Sequence, residues 1–366
     1  MSATHKTSIR FYEIDLLRFL SAVMVVLFHY IYVSKRDDMT PPLEFHRYID
    51  WGHYLYVGIN FFFIISGFVI LMSARDRQPG AFFISRVVRL MPAYWFCVVA
   101  TSIAIIVFNQ PGITVALDQF FANLTMAHIG LGYDHIDTAY WTLWLELKFY
   151  AVIWLLCLLG WLKHIAHLLL VTLIASIAAL STPYAEQFDR FGNMFIYAFP
   201  HWWGYFACGC TFYLIHRDGF LPYYRLLLGL SLIFVLLQAA VFGKIMAGWF
   251  SEPFNPWVLA GSNLLFFAFF CVIVFAKNNP LRRKSFLYLG VLTYPLYLLH
   301  QYIGYLWLTY MSDKVDHELL LWGTLAGMLL MAVFVYRFIE KPLAPHLKRW
   351  LKKRVRSPGG QGQGAG

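Results

Sequence analysis

The chain is written in long apolar runs separated by short polar breaks. Set against ~30 Å of hydrocarbon, roughly ten runs are long enough to cross a bilayer as helices. They fall near 12–33, 54–74, 92–108, 139–161, 165–182, 194–215, 222–242, 257–276, 286–309 and 319–339. A further apolar stretch, 113–131, is short and holds Asn123 and His128, which suits a loop or an interfacial helix better than a span. The pattern predicts an all-α, polytopic integral membrane protein of about ten transmembrane helices. No internal repeat of the inverted-transporter kind is legible.

Charge orients these runs. The loop at 75–91 carries Arg75, Arg77, Arg86 and Arg89 against Asp76 alone. Lys163, then Arg217 and Arg225, then Lys277, Arg282, Arg283 and Lys284 follow in every second loop, and Lys341 to Arg356 close the series. The intervening loops are acidic or neutral. Because Lys and Arg accumulate on the cytoplasmic side, an even number of spans with both termini cytoplasmic is expected. Residues 1–345 then form one transmembrane domain, and 346–366 a cytoplasmic tail, basic at first and Gly-rich after.

Composition agrees. Of 366 residues 60% are hydrophobic and 13% charged, against roughly 25% charged in a soluble domain. The net charge of +10 is divided among short loops instead of forming one stripe, which argues against nucleic acid as a partner and for anionic membrane lipids. The five cysteines all lie in apolar segments and read as packing residues. Residues 1–14 are polar and no small-residue cleavage site follows the first run, so that run is expected to stay as a signal anchor.

Ionisable residues inside the runs mark the candidate chemistry. A charge inside a bilayer costs at least ~2.5–3.5 kcal/mol, so it is expected to face the protein interior. Asp15, Arg18 and His29 interrupt the first run. Asp15 and Arg18 are close enough to touch on a helix. Arg18 and His29 share a face, ~16 Å apart along the axis. With the N-terminus inside, His29 falls toward the outer leaflet, where a side chain of ordinary pKa near 6.5 could deprotonate an acceptor hydroxyl. Glu146, the one glutamate well inside an expected span, lies at a similar depth and could orient His29. Arg86 and Arg89, one helical turn apart just before Pro92, suit bidentate phosphate recognition, although inside-positive bias alone would also place them there. Ser66-Gly67 allows close helix approach, the commoner use of small residues in membranes. Tyr294, Tyr297 and Gln301 share a stripe, with His300 beside it, on a span that Pro295 would kink, and this face is expected to line the same cavity or to serve packing. No metal spacing emerges: His164 and His167 have no third ligand nearby. No P-loop, dinucleotide turn or nucleophile elbow is present.

Taken in order, Arg18 with His29 eleven residues on, Phe62-Phe-Ile-Ile-Ser66-Gly67-Phe, Arg86-x-x-Arg89 with Pro92, Trp141 through Glu146 to Phe149-Tyr150, Tyr294-Pro-Leu-Tyr297-Leu-Leu-His300, and Glu340-Lys-Pro resemble the acyltransferase-3 family, integral membrane acyltransferases that O-acetylate bacterial surface polysaccharides. The motifs run from residue 15 to 342. Lys341 stands where Arg is common in the last one, and no esterase-like domain is fused. The resemblance implies a bacterial inner (plasma) membrane enzyme that moves an acyl group, acetyl or something larger, from cytoplasmic acyl-CoA to a glycan hydroxyl. The acceptor would be lipopolysaccharide O-antigen, an exopolysaccharide or another lipid-linked saccharide. It also implies His29 as base, helped by Glu146 or Asp15, with Arg18, Arg86 and Arg89 on acyl-CoA, and Ser66, Trp141, Tyr150, Tyr297, His300 and Gln301 around the substrate. Acetyl-CoA would be a co-substrate, with no metal. Direct transfer and an acyl-His29 intermediate remain open, as does a homo-oligomer. A proton-coupled transporter or flippase is the alternative use of intramembrane His, Arg and Glu.

Overall fold

The computed structural model describes residues 11–34, 43, 45, 47–75, 77–110, 112–184, 199–276 and 281–356. Readings placed on residues 1–10, Asp76, Lys277, the start of the sixth run and the Gly-rich end lie outside them.

Eleven of the helices carry the architecture: α1 (Tyr12–Phe28), α2 (Gly58–Ala74), α3 (Pro79–Phe108), α4 (Trp141–Leu158), α5 (Ile165–Leu180), α6 (Gly204–Asp218), α7 (Pro222–Phe250), α8 (Pro256–Phe275), α9 (Phe286–Met311), α10 (His317–Val335) and α11 (Lys341–Arg356). Eight stretches of the described residues are long and apolar enough to cross a membrane, from Tyr12–Val33 to His317–Arg354. The protein is an all-α polytopic membrane protein. The sixth and ninth expected runs correspond to α6 and α9. α9 has 26 residues, ~39 Å of helix, but it carries Thr293, His300 and Gln301 and packs inside the bundle, between α1, α3 and α10. Its polar side chains therefore meet protein rather than lipid.

Two boundaries differ from expectation. The third run was expected from 92, after an arginine-bearing loop, yet α3 starts at Pro79 and holds Arg86, Arg89 and Pro92 within it. Pro79 occupies the first turn, where a missing N–H is harmless, and Pro92 is accommodated farther along. The second difference is that the chain after 340 does not become a simple tail. Val335 passes through a π-helical turn, Tyr336–Glu340, into α11, which packs on α3. The stretch 113–131 forms a short helix, Leu117–Asn123, and a 3-10 turn, His128–Leu131, as its length suggested.

α2 and α6 touch most intimately. A Cβ on Gly67 would overlap the backbone of Phe206, and one on Gly209 that of Ile64. Both glycines are needed for the helix axes to come this close. α1 meets α9 the same way, with Asp15 filling the space a Cβ on Gly290 would need and Tyr30 that of Gly304.

Candidate active site

α1, α2, α3, α4 and α9 enclose a cavity of about 320 Å³. Its wall is polar at one side: Arg18, Ser66, Ser85, Arg86, Arg89, Glu146 and Tyr150. Thr142, Thr293, Tyr294 and Tyr297 continue it along α4 and α9, and Ile59, Phe62, Phe63, Val69, Leu90 and Leu143 are apolar. Three cations against one carboxylate make this a site for anionic or strongly polar chemistry.

Glu146 lies within α4 beside Tyr150, one turn on, so both face the same way. Its Oε1 accepts from Ser66 Oγ and from Tyr150 Oη, each at 2.9 Å. Arg18, one helix away, has Asp15, Glu146 and Arg89 as electrostatic neighbours. Arg86 lies over the rings of Phe82 and Tyr150, at 5.7 and 5.6 Å, a cation–π arrangement. Arg89 donates to Glu340 Oε1 at 2.7 Å. The Tyr294 hydroxyl is buried with no hydrogen-bond partner among the described residues, in a side chain that lines the cavity.

At the Tyr297 end the cavity borders a histidine pair. His29 opens a π-helical turn, His29–Val33, that continues α1. Such turns insert one residue and re-aim a side chain, often at functional sites. His29 Nδ1 lies 2.8 Å from Val25 O and 3.3 Å from His300 Nε2. His300 Nδ1 lies 2.7 Å from Tyr297 O. A carbonyl can only accept, so both Nδ1 atoms carry hydrogen and the basic nitrogen of His29 is Nε2. The sequence led us to expect a carboxylate behind His29. At Nδ1 its partners are a carbonyl and a second histidine, while Glu146 Oε1 is taken by Ser66 and Tyr150.

The α9 turn bearing His300 is clamped from outside the helix. Tyr30 Oη donates to His300 O at 2.7 Å and Tyr140 Oη to Leu298 O at 3.3 Å. Asp137 Oδ2 accepts from Tyr302 N at 3.0 Å while Oδ1 accepts from Ala139 N at 2.9 Å. Tyr297 Oη donates to Ala139 O and pairs with Thr142 Oγ1, and Gln301 Nε2 donates to Thr138 Oγ1 at 2.6 Å. Asp137 is fully buried just ahead of α4, and burial pushes its carboxyl up to about 7 against the pull of the two backbone N–H groups.

Of the residues picked from sequence, Arg18, Ser66, Arg86, Arg89, Glu146, Tyr150 and Tyr297 line one cavity; His300 packs behind Tyr297 and His29 behind His300, and neither lines it. Asp15 is packed against Gly290. Trp141 packs edge-on to Phe63 and tilted against Trp202, and Gln301 braces the 137–142 segment; neither lines the cavity. Missed from sequence were Glu340 as the partner of Arg89, and Asp137. Glu340 opens the last motif and could have been suspected; Asp137 precedes the fourth run, where an acid carries no distinguishing signal.

A helical membrane bundle enclosing a cationic cavity beside a buried histidine pair defines a class of membrane protein with an internal reaction or binding chamber. The acyltransferase-domain family model matches residues 11–339, and the chain belongs to this acyltransferase-3 family. A relative, BcsY of Komagataeibacter xylinus, named as a membrane-bound transacylase, is 28% identical over 184 residues, covering 46% of this chain and 42% of that protein. The chain thus matches less than half the length of that relative. No solved structure matches.

Proposed function

We propose that the protein transfers an acyl group, acetyl in the first instance, from acyl-CoA to a hydroxyl of a glycan, with His29 as general base. The observation that carries this is that Tyr297, in the wall of the cationic cavity, packs its ring 5.4 Å from that of His300, the neighbour of His29. The donor would enter from the Arg86 and Arg89 side, the cytoplasmic one if both termini are inside. Its arm would pass Arg18 toward Tyr297 and His29. In a bacterium this would be the inner membrane, and the acceptor a lipid-linked or surface saccharide such as O-antigen or exopolysaccharide.

The chemistry balances on these groups. The acceptor hydroxyl gives its proton to His29 Nε2 as its oxygen attacks the thioester carbon. The imidazolium so formed keeps Nδ1–H between two acceptors, Val25 O and the His300 Nε2 lone pair, which stabilise the developing charge. Collapse breaks the C–S bond, and the departing thiolate takes the proton from His29. Tyr294 Oη is suited to donate to the carbonyl oxygen as it becomes anionic.

Purified protein in detergent with labelled acetyl-CoA and an acceptor glycan tests this. His29→Ala should lose at least 100-fold in transfer, a general base being worth roughly 10²–10⁴. Unchanged transfer in that variant would refute the role of His29. Movement of unmodified saccharide with no acyl-CoA consumed would favour a transporter instead.

A further inference from the structure

A second cavity, of about 330 Å³, lies between the start of α3 and the last turns of α11. Its lining is Arg77, Ala81, Ile84, Ser85, Val88, Lys348 and Lys352, three cations with no acid among them. That volume is at the lower end of ordinary small-ligand sites. Ser85 lines this cavity and the first one, so the two are neighbours across a single residue. Along α3, Ala81, Ile84, Ser85 and Val88 form one stripe. Lys348 and Lys352, one turn apart on α11, stand opposite it. Among the described residues none of Arg77, Lys348 and Lys352 is in an ion pair, whereas Arg89, a turn deeper, is held by Glu340.

The Arg89–Glu340 pair also explains why α11 lies where it does. Glu340 ends the π-helical turn that leads directly into α11, so its bond to Arg89 ties the start of α11 to α3. Two turns later the lysines reach the cavity.

We infer that this second cavity binds the 3′-phosphorylated ribose end of the acyl-CoA donor, Arg77, Lys348 and Lys352 meeting the 3′-phosphate while Arg86 and Arg89 serve the more deeply placed part of the molecule. The inference rests on the acyl-CoA reading above. Three cations with no ion-pair partner among the described residues, set around one pocket, suit a dianionic phosphate. The order of the sites suits a long donor: phosphate end over Ala81 to Val88, middle at Arg86 and Arg89, acyl end toward Tyr297. From Ala81 to Arg89 the helix advances ~12 Å. A free lipid headgroup offers the same phosphate chemistry, so the source must be tested.

Two measurements on the full-length detergent-purified protein do so. In the first, acetyl-CoA and 3′-dephospho-acetyl-CoA are compared as donors for wild type, the Lys348→Ala/Lys352→Ala variant and a Lys353→Ala control. Wild type should show a KM for the dephospho donor on the order of tenfold higher. The double variant should raise KM for acetyl-CoA by a similar factor, leave the dephospho donor unaffected, and change kcat little. Lys353→Ala should behave as wild type. Equal loss with both donors, or a loss that depends on anionic lipid in the micelle, would overturn the inference in favour of a lipid contact. The second measures calorimetric binding of adenosine 3′,5′-bisphosphate. It should bind wild type and weaken on the double substitution. Absence of binding to wild type overturns the site. Binding without acetyl transfer from acetyl-CoA would leave the site standing and refute the proposed reaction.

Discussion

His300 Nε2 lies 3.3 Å from His29 Nδ1, across the contact between α1 and α9, and both rings are anchored to their own helices through backbone carbonyls. His300 thereby works on His29 as an acceptor that holds one tautomer. His300→Ala should lower kcat by at least tenfold with KM for the donor little changed, because the lost contact acts on the protonated base in the transition state. His300→Gln, which offers an amide oxygen at a similar reach, should recover part of the loss. Equal kcat in wild type and His300→Ala would show the pair to be packing alone.

The Arg89–Glu340 bond is asymmetric in exposure. The Arg89 side chain is 33% exposed and that of Glu340 8%. Removing the arginine strands a buried carboxylate, whereas removing the glutamate leaves a cation that can turn toward water. Breaking a buried pair costs about 3–5 kcal/mol when the remaining charge is uncompensated. Arg89→Ala should therefore lower the thermal midpoint more than Glu340→Ala, and Arg89→Ala/Glu340→Ala should recover stability relative to Arg89→Ala. The reverse order in detergent melts would contradict this placement.

Gly67 and Gly209 are set against opposing backbone. Gly67→Ala or Gly209→Ala must move a helix, since backbone cannot turn aside as a side chain can. Overpacking typically costs about 1–3 kcal/mol. Displacing α2 also shifts Ser66 away from Glu146, so activity should fall along with the melting temperature. Gly229→Ala on α7, where a Cβ meets nothing, should leave both unchanged.

Asp137 gives a pH signature of definite sign. Its carboxyl is raised to about 7 from an ordinary 3.8. Between those values the folded chain holds a proton that the unfolded chain has lost. Its contribution to stability is therefore present at low pH and is lost as pH rises from ~4 through ~7, with no further change above. Asp137→Asn should remove this slope, seen as a difference between the two proteins' melting temperatures across pH 4.5–8. Parallel curves would refute it. The His128–His135 pair in the preceding loop acts with opposite sign. Burial holds them down to about 4 and about 3, so the contribution of that contact weakens as pH falls below ~6.5.

Much of the site was legible because membrane helices penalise charge. Arg18, His29 and Glu146 each break an apolar run and Arg86 and Arg89 stand just ahead of one; four of the five line one cavity, and His29 packs on His300 behind its wall. The partner relationships were less legible. The spacing of Asp15 and Arg18, or the depth of Glu146, says which helix face a group is on but not which helix lies opposite. Glu146 consequently found Ser66, and His29 found His300, 271 positions away in sequence. Arg86 and Arg89 looked like loop residues because basic residues end apolar windows, yet Pro79 starts the helix well before them.

By itself, the sequence determined the helical membrane architecture, the number of long apolar runs and the polar side chains kept out of lipid. Those follow from hydrophobic burial and the cost of charge in hydrocarbon, which act on each segment separately. Only the tertiary structure decided that α9 supplies the partner of His29, that Glu340 holds Arg89, and that α11 brings two lysines to the start of α3. These contacts depend on which helices pack together. That is set by close-approach glycines such as Gly67, Gly209 and Gly290 meeting surfaces distant in the chain, a complementarity that no local pattern encodes.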